Sequence, residues 1–350
     1  MGRKIGFGII GLGVIAETHI AAISMNDNCA FIGAYDRTPG KAKAFCEAHG
    51  MGIPYDDLES FLSNPDIEAV TIATPSGYHL EPALAAISHG KHVIIEKPME
   101  ITPERVQKIL DAASAKGVIA TGVFQSRFYE APILIKKAID EGRFGRLTLV
   151  DAQVKWYRSQ EYYDSGAWRG TWAVDGGGAL MNQSIHAVDL LQWFAGKADE
   201  VQAYTATLSH ERIEVEDTGT AVLRFRSGAL GVIEGSTSVY PGFLKKLEIC
   251  GTDGSAVLEE ESITLWRFRE ERPEDEDIRR TFADRNSSGG GASDPKAINT
   301  LGHEREFHDF ADAIINRRAP AISGESAGEA VRIIAAIYES ARTGKPVRVN

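Results

Sequence analysis

Lys97 stands in Glu96-Lys97-Pro98, directly after the apolar run Val93-Ile94-Ile95. A short apolar run without polar alternation reads as a buried parallel strand. The lysine then lies at the carboxyl end of a strand, on the edge where open α/β sheets bind ligands. An ammonium there can sit beside a bound nicotinamide and handle a substrate proton. A second pair suits the same chemistry. Asn182 and His186 are four residues apart, so they share one helical face. An imidazole can take a hydroxyl proton while hydride leaves the same carbon. Asp175-Gly176-Gly177-Gly178 leads into that helix, which runs on through Asp189 and Trp193.

Hydride chemistry needs a carrier, and the chain start supplies a site for one. Ile5 to Ile10 passes into Gly11-Leu12-Gly13-Val14-Ile15-Ala16, a strand opening into a G-x-G-x-x-A turn. Gly11 permits the tight turn, Gly13 lets the backbone approach a pyrophosphate, and Ala16 allows close helix–strand packing. Leu12, Val14 and Ile15 complete the turn, and the helix that follows points its positive end at the phosphates. Asp36 ends the second strand, twenty residues past Ala16. A carboxylate there accepts both ribose hydroxyls and repels a 2′-phosphate, which favours NAD over NADP. Its neighbour Arg37 can stack on adenine or meet a 2′-phosphate. Thr74-Pro75 ends the next strand, and Ser76 to His79 continue the pocket wall.

The elements that must position these residues come in two styles. The first half alternates short apolar runs (Ala30 to Tyr35, Ala69 to Ala73, His92 to Ile95, Val118 to Val123) with helical stretches (Lys41 to His49, Glu81 to His89, Pro103 to Lys116). That pattern predicts a doubly wound α/β domain with a parallel sheet covered on both faces. After about Phe124 the runs lengthen and mix apolar with polar positions: Leu147 to Val154, Val201 to Leu208, Thr220 to Phe225, Ala229 to Thr237, Leu244 to Cys250 and Ser262 to Phe268. Ser227-Gly228 and Asp253-Gly254 are hairpin signals. We expect an α+β second domain with a large, mostly antiparallel sheet, one face under helices and the other solvated or paired with a second subunit. Tyr204, Phe225, Ile233 and Leu247 are candidates for that pairing surface. Helices over Arg305 to Ile315 and Glu325 to Arg342 close the chain. The division expected is 1–123 for the dinucleotide domain and 124–350 for substrate binding and self-association. Arg267 to Asp277 reads as a charged solvated loop, and Asn286 to Asp294, centred on Gly289-Gly290-Gly291, as a flexible loop or a lid.

Composition narrows the class. The 350 residues carry a net charge of −11 and no basic stripe, which argues against a nucleic-acid partner. Ile5 to Ile10 is too short to span a membrane. Cys29, Cys46 and Cys250 show no metal spacing and read as reduced thiols of a cytoplasmic protein. His303-Glu304-Arg305-Glu306-Phe307-His308 has its histidines five apart, so they diverge on a helix by roughly 140° and do not pair on a metal as i, i+4 ligands do. No metal is expected.

Taken together, the Gly11-x-Gly13-x-x-Ala16 turn, Glu96-Lys97-Pro98 and the Gly-Gly-Gly…Asn182…His186…Asp189 helix resemble the Gfo/Idh/MocA oxidoreductases. Thr74-Pro75, Gln125-Ser126-Arg127-Phe128, Trp168-Arg169 and Gly344-Lys345-Pro346-Val347 fit the resemblance, which covers essentially the whole chain. It implies an NAD(P)-dependent dehydrogenase of a sugar, cyclitol or sugar nucleotide, with Lys97 and His186 as its lysine and histidine. Glu96, Lys97 and Gln125 join the cofactor set. Many members carry aspartate where this chain has Asn182, which leaves either Lys97 or His186 as the main acid/base and Asn182 to hold substrate or orient the ring. Asparagine there is reminiscent of the branch of UDP-N-acetyl-2-amino-2-deoxyglucuronate 3-dehydrogenases. Substrate contacts are expected from Arg127, Tyr163, Trp168 and Arg169, with Arg158, Tyr162 and Trp172 nearby in sequence. Two other readings remain at this point: a redox-assisted NAD-dependent glycosidase, and a non-catalytic NAD-binding regulator on the same fold.

Overall fold

Six parallel strands build the first sheet of the computed structural model, which describes residues 2–283 and 300–349. They are β1 (Ile5–Ile10), β2 (Cys29–Tyr35), β3 (Ile53–Tyr55), β4 (Ala69–Ile72), β5 (His92–Ile95) and β6 (Ala120–Gly122), in the order β3-β2-β1-β4-β5-β6. The order reverses between β1 and β4, which is where a doubly wound sheet opens a ligand crevice. All six residues of β1 and all four of β4 are buried, as central strands covered on both faces must be. Helices α1 (Val14–Met25), α2 (Lys41–His49), α3 (Leu58–Ser63), α4 (Leu80–Ser88) and α5 (Pro103–Lys116) fill the crossovers. Thr102 caps α5 at Arg105 N–H and Gly117 ends it at a positive φ, so both boundaries follow from local chemistry.

The second sheet has eight strands in the order β13-β12-β11-β7-β10-β9-β8-β14. These are β7 (Leu147–Lys155), β8 (Ala198–Ala206), β9 (Thr218–Phe225), β10 (Leu230–Ser236), β11 (Lys246–Gly251), β12 (Gly254–Glu259), β13 (Ser262–Phe268) and β14 (Val347–Arg348). Every neighbour is antiparallel except β7 and β10. Helices α6 (Glu130–Asp140) and α7 (Gln160–Asp164) precede α8 (Ile185–Ala195), which packs on β7 and so covers one face. Burial alternates along β9, with Ala221, Leu223 and Phe225 inward and Thr220, Val222 and Arg224 outward. The other face therefore carries Leu149, Tyr204, Val222, Leu230 and Leu265, with Asp151, Glu234, Glu248 and Lys246 among them. Of the four residues expected on that surface only Tyr204 is there. Phe225, Ile233 and Leu247 fall on the inward register and are buried.

Two more expectations change. Among the described residues, 2–125 group with 300–328, and 126–283 with 329–349. Residues 300–328 thus belong with the first unit, not with the second half of the chain. The reason lies in α10 (Leu301–Asn316), whose Phe307, Phe310, Ala311 and Ile314 fall on one face and join the β1–α1 core. Phe307 and Phe310 both pack tilted against Phe7, with ring centroids at 5.7 and 6.1 Å, and each such buried ring contributes roughly 1.5–3 kcal/mol. The charge run Arg267 to Asp277 is not a loop: β13 ends at Phe268, and α9 (Pro273–Ala283) begins with proline at its start and Glu274, Asp275 and Glu276 in its first turn, where carboxylates meet the positive end of the helix. Asp275 is buried against Arg143 (2.8 and 2.6 Å) and Trp266 Nε1 (2.7 Å); burial would raise its carboxyl, but these partners and Arg272 N–H hold it down at about 2. The segment Asn286 to Asp294 lies outside the described residues. Helix α11 (Gly324–Thr343) carries the chain from the first unit into the second.

Candidate functional site

In the first unit the glycine turn has two glycines with different duties. Gly11 has φ +88°, and a Cβ on it would lie 2.7 Å from Thr74 N and 2.8 Å from Ala73 C, so neither its conformation nor its surroundings admit a side chain. A Cβ on Gly13 would meet nothing within 4 Å, and the residue is exposed. The space above it is open to a ligand rather than filled by the fold. Helix α1 starts at Val14 with no side-chain cap, leaving its first N–H groups for an anion. Val14 is exposed, Ile15 half-buried and Leu12 buried. Asp36 accepts Leu12 N–H and Thr38 N–H, both at 2.9 Å, and meets Lys41 Nζ at 3.0 Å. Burial raises its carboxyl, but these donors outweigh that and hold it below the usual range. It remains ionised at neutral pH at the tip of β2, as a ribose acceptor must. Arg37 is exposed and lies over the Tyr78 ring at 5.1 Å. Gln125 is half-buried, and its Oε1 is buried with no hydrogen-bond partner among the described residues. Such an acceptor costs about 1–3 kcal/mol until a donor meets it, which suits a ligand amide or hydroxyl. The turn, the open space at Gly13, Asp36 and Gln125 together fit a dinucleotide.

Lys97 is half-buried at the end of β5, and its peptide bond to Pro98 is cis. Glu96 beside it is buried. Its Oε2 accepts Lys97 N–H at 3.0 Å and its Oε1 meets His19 Nε2 at 2.8 Å. Glu96 therefore holds the lysine backbone from the buried side. His79 is also internal. Its Nδ1 lies 2.9 Å from Pro98 O and its Nε2 2.8 Å from Thr74 O, tying the segment after β4 to the segment after β5. Burial depresses its basicity more than these carbonyls restore it. Thr74 and Pro75 are half-buried beside it.

In the second unit, Ala179–Ser184 forms a π-helical turn that runs directly into α8. Widened turns of this kind favour functional sites because they re-aim side chains. The glycines before it make room: a Cβ on Gly177 would lie 2.0 Å from Tyr338 Oη, and one on Gly178 1.9 Å from Glu216 O. Glu216 is buried and accepts Gly178 N–H (3.1 Å), Leu180 N–H (2.8 Å) and Tyr338 O–H (2.9 Å). Burial nevertheless pushes its carboxyl up to about 7. Asn182 and His186 are half-buried on the turn and the helix. Asn182 Nδ2 donates to Asp175 Oδ1, and its Oδ1 accepts Gln183 Nε2 at 2.8 Å. Asp175 Oδ2 in turn accepts Gly170 N–H. A carboxylate is therefore present beside position 182, contributed by Asp175, and asparagine is the residue that can donate to it.

The expected substrate residues separate here. Arg169 and Trp168 are half-buried; the guanidinium lies 4.3 Å from the Tyr162 ring centroid and 4.7 Å from that of Trp168. Arg158 donates to Gln183 Oε1 at 3.1 Å and also lies over Tyr162, at 5.6 Å. Tyr162 Oη accepts from Arg169 at 2.6 Å and from Gln183 at 3.0 Å. Asp175, Asn182, Gln183, Arg158, Tyr162 and Arg169 thus form one polar cluster. Arg127 and Tyr163 are not in it. Arg127 is buried and grips Asp189 with two nitrogens (2.7 and 2.5 Å), a bidentate support for α8. Tyr163 is buried, bonds Thr237 Oγ1 at 2.9 Å and packs on His210. The cluster members that sequence reasoning did not assign are Asp175 and Gln183; both flank motif residues, and their polar type within an apolar stretch is the signal.

The strand–turn–helix start and the reversal of strand order beside it define a dinucleotide-binding fold. Residues 5–124 match the oxidoreductase family with an NAD-binding Rossmann fold, and residues 133–257 match the GFO/IDH/MocA C-terminal domain. The chain is 36% identical to the WlbA dehydrogenase of Bordetella pertussis, solved in complex with NADH and UDP-GlcNAcA, with 99% of this chain and 98% of that one covered at a TM-score of 0.90. An uncharacterized oxidoreductase of Synechocystis sp. is 30% identical over 71% of this chain and 70% of its own length. Myo-inositol 2-dehydrogenase of Thermotoga maritima is 27% identical over 71% and 73%. This chain is a member of the Gfo/Idh/MocA family, an NAD-binding oxidoreductase. Among the described residues no helix is long and apolar enough to cross a membrane.

Proposed function

We propose that the protein interconverts a secondary alcohol and a ketone on a nucleotide-linked sugar, with NAD as hydride carrier. The observation that carries this reading is the likeness over 99% of the chain to a dehydrogenase whose structure holds NADH and UDP-GlcNAcA. When bound, the nicotinamide supplies the hydride acceptor or donor. This chain's part is the proton and the orientation. Lys97 and His186 are the groups assigned to the hydroxyl proton, one taking it in oxidation and returning it in reduction. Asn182, locked by Asp175 and Gln183, orients substrate or imidazole. Arg158 and Arg169, both against Tyr162, suit an anionic group such as a uronate carboxylate or a diphosphate, and Trp168 offers a face to a sugar ring.

The open face of the eight-stranded sheet supports self-association, as a two-fold dimer or a tetramer of such dimers. Tyr204 is 75% and Val222 58% exposed on it, and exposed apolar surface of that kind suits an interface. Three free thiols suit the reducing cytoplasm.

The test is a screen for NADH formation over UDP-linked uronates, other sugar nucleotides, free sugars and cyclitols. Reduction of NAD with a UDP-linked uronate and little with the free sugars is the expected result. Release of the aglycone without accumulation of NADH would replace this reading with redox-assisted glycoside cleavage.

A further inference from the structure

Behind Lys97 lies a buried chain of polar groups that the proposed reaction does not use directly. His19 sits on α1 with Ala16, Ile20 and Ile23, on the face that packs into the core, and is 0% exposed. A polar side chain at such a position needs partners. His19 Nδ1 lies 2.7 Å from Thr71 Oγ1 and its Nε2 2.8 Å from Glu96 Oε1. His303, from α10, brings its Nε2 to 3.9 Å from the same Glu96 oxygen. The second Glu96 oxygen holds the backbone N–H of Lys97. Four elements of the first unit thus converge on one carboxylate: β4 through Thr71, α1, α10 and the end of β5. Among the described residues, the charged and titratable groups that act on it are His19, His303, His79 and Lys97 itself.

We propose that His19, Glu96 and His303 form a positioning relay that fixes the Lys97 backbone and sets the proton affinity of its ammonium. This rests on the reading of Lys97 as an acid/base group. Burial alone would raise the Glu96 carboxyl; His19, His303 and the Lys97 charge together bring it down to about 2. The attraction is reciprocal: a carboxylate stabilised by the ammonium stabilises the ammonium in return. Thr71 fixes the orientation of the His19 ring, so the acceptor beside Lys97 is held from the sheet and both flanking helices.

The experiment is the pH dependence of kcat and of kcat/KM for the full-length protein with NAD and the substrate found in the screen. The Lys97 limb is identified as the one that Lys97→Met removes; if Lys97→Met keeps full turnover, it is the functional reading that fails. Glu96→Gln keeps the shape of the side chain and removes its charge. The expected result is a Lys97 limb moved to lower pH by about one unit or more, with the NADH dissociation constant within about twofold of wild type. A lower kcat with the limb unmoved makes Glu96 merely structural and overturns the proposal. His19→Gln, which keeps a donor for Glu96, is expected to hold kcat within about threefold, and His19→Phe, which does not, to lower it about tenfold or more at unchanged NADH affinity. Equal effects of the two His19 changes overturn the relay, and this pair decides the matter if Glu96→Gln does not fold. One equivalent of a divalent metal in the purified protein, removed by Glu96→Gln, would also overturn it, since the same three side chains would then be a metal centre.

Discussion

Replacing Glu216 by glutamine tests how the π-helical turn carrying Asn182 is held. Glu216 receives two backbone N–H groups from the turn and one tyrosine hydroxyl, yet its burial raises its carboxyl from 4.5 to about 7. A carboxyl raised that far is linked to about 3 kcal/mol of stability, at about 1.4 kcal/mol per pH unit. The sign follows from proton counting. Below pH 4.5 both folded and unfolded forms are protonated and the group contributes nothing. Between 4.5 and about 7 the unfolded carboxyl ionises first, so the folded state loses stability as pH rises. Above about 7 both are ionised and the cost is constant. Glutamine at 216 keeps an oxygen for Leu180 N–H and Tyr338, loses the acceptor for Gly178 N–H at a cost that does not vary with pH, and cannot titrate. Urea denaturation of wild type and Glu216→Gln, followed by tryptophan fluorescence from pH 4 to 8.5, reads the difference. The variant should gain about 3 kcal/mol on wild type across that range. A difference that stays flat with pH would refute the claim that Glu216 is held protonated by its burial.

The turn after β1 makes a paired prediction: Gly13→Val should leave the melting temperature within about 2 °C and weaken NADH binding at least about tenfold, because the space it fills is open, whereas Gly11→Ala should cost about 1–2 kcal/mol of stability or more from its φ of +88° and the nearby backbone; calorimetry and NADH fluorescence titration separate the two. Asp36→Ala should weaken NADH binding and narrow the preference over NADPH, checked in the same titration, and tighter NADPH binding by the intact protein would assign that end of the pocket to Arg37 and Lys41. Val222→Asp on the open sheet face should shift the protein toward monomer in sedimentation velocity at micromolar concentration, with NADH binding unchanged; a wild-type monomer would remove the interface.

Much of this was legible because local rules and tertiary demands agreed. The strand–glycine–helix start, Asp36 at the end of β2 and the lysine after β5 each follow from short-range chemistry that the sheet order then uses. What was not legible has physical causes. Arg127 and Tyr163 look like ligands by type, but Asp189 and Thr237, 62 and 74 residues away, take up their polar atoms, and no local pattern reports so distant a partner. The run Arg267 to Asp277 looked solvated because acidic residues are usually exposed; at a helix start they are favoured, and one of them is buried by Arg143. Residues 300–328 return to the first unit because α10 presents Phe307 and Phe310 to Phe7, a choice of partner that helical periodicity does not specify. His19 lay one turn beyond the glycine motif, where its burial on α1 was readable from the period of Ala16, Ile20 and Ile23 but not its contact with Glu96.

The central claim is that this chain moves a hydride to NAD while Lys97 and His186 manage the proton. Single-turnover formation of NADH from NAD and a UDP-linked uronate, measured for wild type, Lys97→Ala and His186→Ala, tests it most directly. The account predicts a rapid NADH signal in wild type and a rate lowered by about 10²-fold or more in each variant, with NADH affinity largely retained. Near-normal rates in both variants on that substrate would contradict it.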